Sequence, residues 1–189
     1  MNVLEIIAVA LGLANIGLLV RRSIWNYPFG MAMVALYALI FFEAKLYGEA
    51  GLQVFFFAVQ GWGWLLWARA GGLDHAVAVQ RMGWPARIGA LALVVAWTLG
   101  QGMAMHRMTD AAMPYADAAI TGASVVAQVL LSLRRIENWV LWIAIDVASI
   151  ALYIQRDLQL TAGLYAAFLL LSAVGLVEWL RAERAQQPA

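Results

Sequence analysis

The chain has no cysteine, which excludes disulfides and thiolate metal sites. Histidine is almost as scarce: His75 and His106 are the two present, and both are expected in connecting segments. No metal or redox centre is expected from such a set, and no Ser/His/Asp catalytic set can be assembled from two loop histidines. The phosphate-cradling GxxxxGK[ST] motif is missing, which argues against an ATP-driven pump on this chain, as are a His-Glu zinc helix and a GxSxG elbow. Charge is also sparse, at 12% of 189 residues and net +1, where a soluble domain carries roughly a quarter. That balance gives no basis for nucleic-acid binding.

What fills the space is apolar. Hydrophobic residues make up 65% of the chain and the mean hydropathy is +0.80, the composition of an integral membrane protein. Seven apolar stretches are near spanning length: Val3 to Val20, Tyr27 to Phe42, Gly51 to Trp67, Pro85 to Ala104, Tyr115 to Leu133, Asn138 to Ile154, and Ala162 to Leu180. The first lacks a basic leader and a small-residue cleavage site, so it is expected to be a retained span. Trp25 and Tyr27 are expected to hold the interface for the short second span, and Trp67 to be an interfacial anchor. Only the segment from Ala68 to Trp84, with Gly71, Gly72, Asp74 and His75, is long enough to be a linker.

Basic residues set the expected orientation. Nine arginines (21, 22, 69, 81, 87, 134, 135, 181, 184) fall on the side of the C-terminus, against Lys45, Arg107 and Arg156 on the other. The C-terminus is therefore expected in the cytoplasm and the N-terminus outside, which requires an odd number of spans.

The two ends of the chain also echo each other. Ala14-Asn15 followed by Arg21-Arg22 matches Ala127-Gln128 followed by Arg134-Arg135 at an offset of 113. Asn26 with Asn138, Phe41 with Tyr153, Ala50-Gly51-Leu52 with Ala162-Gly163-Leu164, Gly63 with Gly175 and Trp67 with Trp179 match at 112, so a one-residue gap joins the registers. The expected fold is an all-α integral membrane protein of seven transmembrane helices in a parallel 3+1+3 internal repeat. Residues 1–68 form the first three-helix repeat, 69–110 a linker with the fourth helix, 111–181 the second repeat and 182–189 a short cytoplasmic tail. Such a plan places a pseudo-two-fold axis along the membrane normal and a pathway between the halves.

Few polar residues lie at membrane depth: Asn15, Gln60, Ser124, Gln128, Asp146, Ser149 and Ser172. Asp146 is the costly one, since a carboxylate at mid-bilayer costs roughly 2.5 to 3.5 kcal/mol on insertion scales and must face protein or a cavity. Trp142 stands one turn before it, and Asn138, Ser149 and Tyr153 continue the same stripe. A flat, polar, cationic solute suits such a stripe; the alternative is that these groups only bind neighbouring helices together. Gln60 is followed by GWGWLLW, where Trp62 and Trp64 offer further aromatic surface. Glu5 and Asp117 are expected at external helix ends, either solvated or lining a mouth that attracts cations, and Glu178 as a surface charge.

Several stretches resemble the PnuC-type vitamin transporter family: Tyr115-Ala116-Asp117-Ala118, Val126-Ala127-Gln128, Arg135-Ile136-Glu137-Asn138-Trp139, Trp142, Asp146, Tyr153, Thr161 to Tyr165, Gly175 and Trp179, with Trp25, Asn26, Gly30, Tyr37, Gln60, Gly61 and Trp62 in the first half. The resemblance implies a fold like the SWEET sugar transporters, a homotrimer in the bacterial inner membrane and no cofactor. It also implies uptake of nicotinamide riboside by facilitated diffusion, with accumulation driven by a cytoplasmic kinase that phosphorylates the vitamin for NAD biosynthesis. Thiamine or riboflavin are the alternative solutes, and a vitamin-binding subunit of an energised transporter is the alternative class. The candidate substrate-binding residues are Asp146, Trp142, Gln60, Asn138, Gln128, Trp62, Ser149, Tyr153 and Ser124: an indole to stack on the heteroaromatic ring, and polar groups for the ribose or carboxamide.

Overall fold

The computed structural model describes residues 3–43, 47–73, 75–109, 113–155 and 159–186. These form α1 (Val3–Val20), α2 (Asn26–Glu43), α3 (Tyr47–Arg69), α4 (Trp84–Met108), α5 (Pro114–Ser132), α6 (Glu137–Gln155) and α7 (Gln159–Gln186). Seven helices thus follow the seven apolar runs. α7 overshoots its run at both ends, and its last turns are polar, with Arg181 paired to Glu178 at 2.7 Å as a surface ion pair. α2, α4, α5 and the Ala162–Gln186 part of α7 are each long and apolar enough to cross a membrane by length and composition alone.

The helices gather into two compact units, one of Met1–Val79, Leu131–Arg134 and Val177–Ala189, the other of Gln80–Leu130 and Arg135–Leu176. In the first, α1 packs on α2 and α2 on α3. Its core contains three fully buried aromatics, with Tyr27 edge-on to Trp67 at 5.3 Å and Trp67 tilted against Trp179 at 6.1 Å. The Trp179 indole N–H donates to the Leu19 carbonyl at 3.2 Å. Tyr27 and Trp67 are therefore core residues and not interfacial anchors, whereas Trp25 is 60% exposed. Apolar surroundings on both sides of a membrane helix leave burial to be decided by the partner helix, which the indole itself does not reveal.

In the second unit the side chain of Trp97 lies against Gly122 and that of Tyr115 against Gly102, which seats α4 on α5. Beyond that contact α4 exposes Ile88, Leu91, Leu93, Val95 and Leu99, an apolar surface suited to lipid. His106 lies in the last turn of α4 and not in a loop, because that helix runs four residues past its apolar stretch. His75 does fall in the linker.

The α1–α2 and α5–α6 turns share one backbone design. Arg22 and Arg134 both take a left-handed conformation, at φ 56° and 59°. Around them Arg22 N–H bonds Leu19 O and Ser23 N–H bonds Leu18 O, at 2.8 and 3.0 Å, while Arg134 bonds Leu131 and Arg135 bonds Leu130, both at 2.8 Å. This is the Schellman closure, with arginine where glycine is usual, a positive charge near a helix C-terminus. One turn later the Asn26 amide donates to Ser23 O at 2.7 Å and the Asn138 amide to Arg135 O at 2.6 Å. All these pairs stand 112 residues apart. Arg22 therefore matches Arg134, and the arginine pairs that align at 113 in sequence are one position out of phase in the turn.

The notched packing repeats as well. A Cβ on Gly63 would come within 2.6 Å of the Tyr27 hydroxyl, and one on Gly175 within 2.5 Å of the Trp139 ring. In each unit a glycine makes room for the aromatic that opens the preceding helix.

Candidate functional site

α6 starts at Glu137 and carries its polar stripe into the second unit. Asn138, Asp146 and Ser149 are all buried, with 0%, 4% and 1% of their surface exposed, and Trp142 is half-buried. The i, i+4, i+8, i+11 spacing of these four residues brings them to one face, as the sequence predicts. Tyr153 lies on α6 but its side chain is outside the described residues.

Asp146 accepts a hydrogen bond from the Ser172 hydroxyl of α7 at 3.0 Å. Among the described residues no cation pairs with it. A buried carboxylate answered only by a neutral hydroxyl is undercompensated, because one hydrogen bond does not replace the lost hydration of a full charge. The alternative of mere helix glue is met in part, since Ser172 is a hydroxyl on a neighbouring helix, yet the charge itself is left over. Asn138 Oδ1 and Ser149 Oγ are buried without a hydrogen-bond partner among the described residues. Polar atoms so placed are uncommon and point to an absent partner. Gln128 on α5 is also buried, whereas Ser124 is half-buried and spends its hydroxyl on the Ile120 carbonyl at 2.8 Å. That back-bond makes Ser124 the weakest candidate of the set.

The first unit holds a different polar cluster. Gln60 on α3 is buried, and its side-chain oxygen lies directly against the α-carbon of Gly30 on α2, with the Asn15 side-chain nitrogen beside it. Only glycine allows that approach, since any Cβ at position 30 would collide with the Gln60 oxygen. Asn15 donates to the Asn26 carbonyl at 2.7 Å, so amides from all three helices meet here. Trp62, by contrast, is 43% exposed, and it sits two residues from Gln60 on a different face. The structure thus groups Asn138, Trp142, Asp146 and Ser149 on one helix face, and it sets Gln60 with Asn15.

Ser172, Asn15 and Gly30 were not in the set of candidates from sequence. The 112-residue offset contains the signal for two of them, because it matches Gln60 with Ser172 and Gly30 with Trp142. At that offset the bulky and the small residue exchange helices. Glu5 has no described side chain, and Asp117 is half-buried in the first turn of α5. Groups of histidine, aspartate or glutamate able to hold a metal ion are absent among the described residues.

Residues 2–181 match the family described as nicotinamide mononucleotide transporter. The nicotinamide riboside transporter PnuC of Escherichia coli strain K12 is 28% identical over 206 residues, covering 96% of this chain and 86% of that protein. The riboflavin/roseoflavin transporter RibM of Streptomyces davaonensis is 28% identical over 196 residues, 99% of this chain and 86% of its own. A crystal structure of the vitamin B3 transporter PnuC superposes with a TM-score of 0.78 at 26% identity, over 97% of this chain and 83% of that one.

Proposed function

The chain belongs to the nicotinamide mononucleotide transporter family, a family of membrane transporters, and on that footing we propose that it takes up nicotinamide riboside by facilitated diffusion. The observation that carries the reading is Asp146: a buried carboxylate on a membrane helix, bonded to a neutral hydroxyl, with the Trp142 indole one turn away. Nicotinamide riboside supplies what is missing there. Its pyridinium cation offsets the carboxylate and its flat ring stacks on an indole, with cation–π attraction on the order of 0.5 to 2 kcal/mol. Asn138 and Ser149 hold oxygens without a partner among the described residues, for the ribose hydroxyls or the carboxamide N–H groups; Gln128, buried on α5, is a further polar candidate, and Gln60 a separate one on α3.

The same electrostatics separate the riboside from the mononucleotide of the family's description. α1, α2, α5 and α6 contain no basic residue at all, and the arginines of α3, α4 and α7 lie within two turns of their ends. A phosphate dianion brought to Asp146 would meet like charge and no cation. Riboflavin, suggested by the RibM relative, is neutral and would leave the carboxylate uncompensated. Thiamine, with its cationic thiazolium, fits the charge but has no ribose for Asn138 and Ser149.

No nucleotide-binding loop is present to energise transport, so accumulation rests on a cytoplasmic kinase that traps the solute as its phosphate. The repeated turn around Arg22 and Arg134 supports an origin of α1–α3 and α5–α7 as copies of one plan joined by α4. The C-terminus in the cytoplasm and a homotrimeric assembly belong to the same reading. Purified protein in liposomes tests it directly: labelled nicotinamide riboside should equilibrate without ATP or an ion gradient, and excess unlabelled riboside should compete while the mononucleotide should not. Uptake that demands ATP or a gradient would remove facilitated diffusion, and equal competition by the mononucleotide would remove the electrostatic argument.

A further inference from the structure

Glu137, the first residue of α6, is tied down far more firmly than a helix-capping acid requires. Its two carboxylate oxygens accept the Met82 backbone N–H at 3.0 and 3.1 Å, and Oε1 also accepts the Arg87 Nε–H and Nη2–H at 3.0 and 2.7 Å. Arg87 belongs to the first turn of α4, and its guanidinium stacks over the Trp84 ring at 5.1 Å. The side chains of Arg87 and Glu137 are 34% and 17% exposed, so water screens the pair only in part. Alongside it the Ile136 N–H donates to Gln80 O at 3.0 Å and the Arg135 guanidinium to the Gln80 side-chain oxygen at 2.9 Å. The segment Gln80–Trp84 is therefore bound along the whole start of α6.

The matching turn meets the linker differently: the Arg22 guanidinium donates to Val77 O at 3.2 Å and the Arg22 carbonyl accepts the Val77 N–H at 3.4 Å, while the position 112 residues before Glu137 is Trp25, exposed and uncharged. Both turns are thus tied to the linker, and the carboxylate–guanidinium pair is, among the described residues, particular to the second, which calls for a role beyond closing the turn. The helix it fastens is the one whose Asn138 and Ser149 oxygens are buried without partners. Such a face is costly while closed and is relieved when solute or water reaches it.

We propose that Glu137, Arg87 and the Met82 N–H form a latch that holds α6 in the closed arrangement seen here, and that release of this latch opens the Asn138–Ser149 face to solute. Glu137 is a positioning residue in this mechanism, acting through α6 and not by touching solute. The inference rests on the membrane-transporter assignment alone and is independent of which vitamin is carried.

Because the chain has no cysteine, Ser149→Cys gives a single reporter thiol at a closed position. Its alkylation by a small charged methanethiosulfonate should be slow in otherwise unchanged protein. It should rise about tenfold in Arg87→Met and in Glu137→Gln, and rise no further when both are combined, because a pair that acts as one unit is lost only once. Unchanged elution volume and helical circular dichroism identify the variants that keep their fold. If neither does, Arg87→Lys, which keeps the charge and loses the forked contact, carries the test and should alkylate severalfold faster. An unchanged rate in any folded variant of the pair, or strictly additive effects in the double variant, would overturn the latch. Neither outcome depends on riboside binding, so failure of the latch and failure of the substrate assignment are read separately.

Discussion

Position for position, the α1–α3 cluster and the α6–α7 cluster share a frame and differ in content. At 112-residue spacing, Gly30 corresponds to Trp142, Val34 to Asp146 and Gln60 to Ser172. In the first cluster glutamine occupies the space that glycine vacates, and the result is neutral, with Asn15 bonded to the backbone of α2. In the second an indole stands on the middle helix, its counterpart is cut down to serine, and a carboxylate is added one turn further on. The shared features are the turn, the glycine notch and the asparagine bond at the helix start. The difference teaches that two clusters with one turn design can differ in charge, with the carboxylate standing in the α6–α7 cluster.

The comparison is broken most severely by removing the charge. Asp146→Asn keeps the shape and the Ser172 contact but loses the attraction to a cation, worth several kcal/mol at an effective dielectric near 20. Riboside affinity should fall on the order of a hundredfold in a binding titration, with stability unchanged or improved. Next in size, Gly30→Ala forces the Gln60 oxygen and the Asn15 amide out of the notch. A steric clash of this kind costs about 1 to 3 kcal/mol, so a melting-temperature loss of several degrees and roughly tenfold slower uptake are expected. Ser172→Ala removes the one hydroxyl donor to Asp146 and should change riboside affinity only severalfold, since the incoming cation takes over the compensation. Smallest of all is Trp62→Phe. With 43% of its surface exposed and no part in either cluster, Trp62 should leave affinity within about twofold, which would separate it from Trp142→Phe, expected to lose about 0.5 to 2 kcal/mol of stacking.

Much of the fold was legible because each helix coincides with an apolar run, and lipid-length hydropathy is a strong signal. The α6 stripe was legible for the opposite reason, since polar residues in such a run have few places to go. What sequence could not reveal was orientation within the apolar helices. A membrane helix is apolar on its lipid face and its packed face alike, so the period-3.6 contrast that exposes a core face in soluble proteins is lost. Hence Trp67 was expected at the interface and is fully buried, and Trp62, a candidate for stacking on the solute, is 43% exposed. The left-handed Arg22 and Arg134 were illegible too, because that conformation is ordinarily signalled by glycine. Gly30 and Ser172 needed a contact across helices to acquire meaning, and the 112-residue offset points to them only once the two turns are set side by side.

The most direct test of the account is a tryptophan-fluorescence titration of the purified protein and of Asp146→Asn with nicotinamide riboside and, separately, with riboflavin. The account predicts saturable binding of the riboside to the unaltered protein, loss of that binding on the order of a hundredfold in Asp146→Asn, and little response to the neutral flavin in either. Equal riboside affinity in the two proteins would contradict it, because the buried carboxylate would then have no part in recognising the cation.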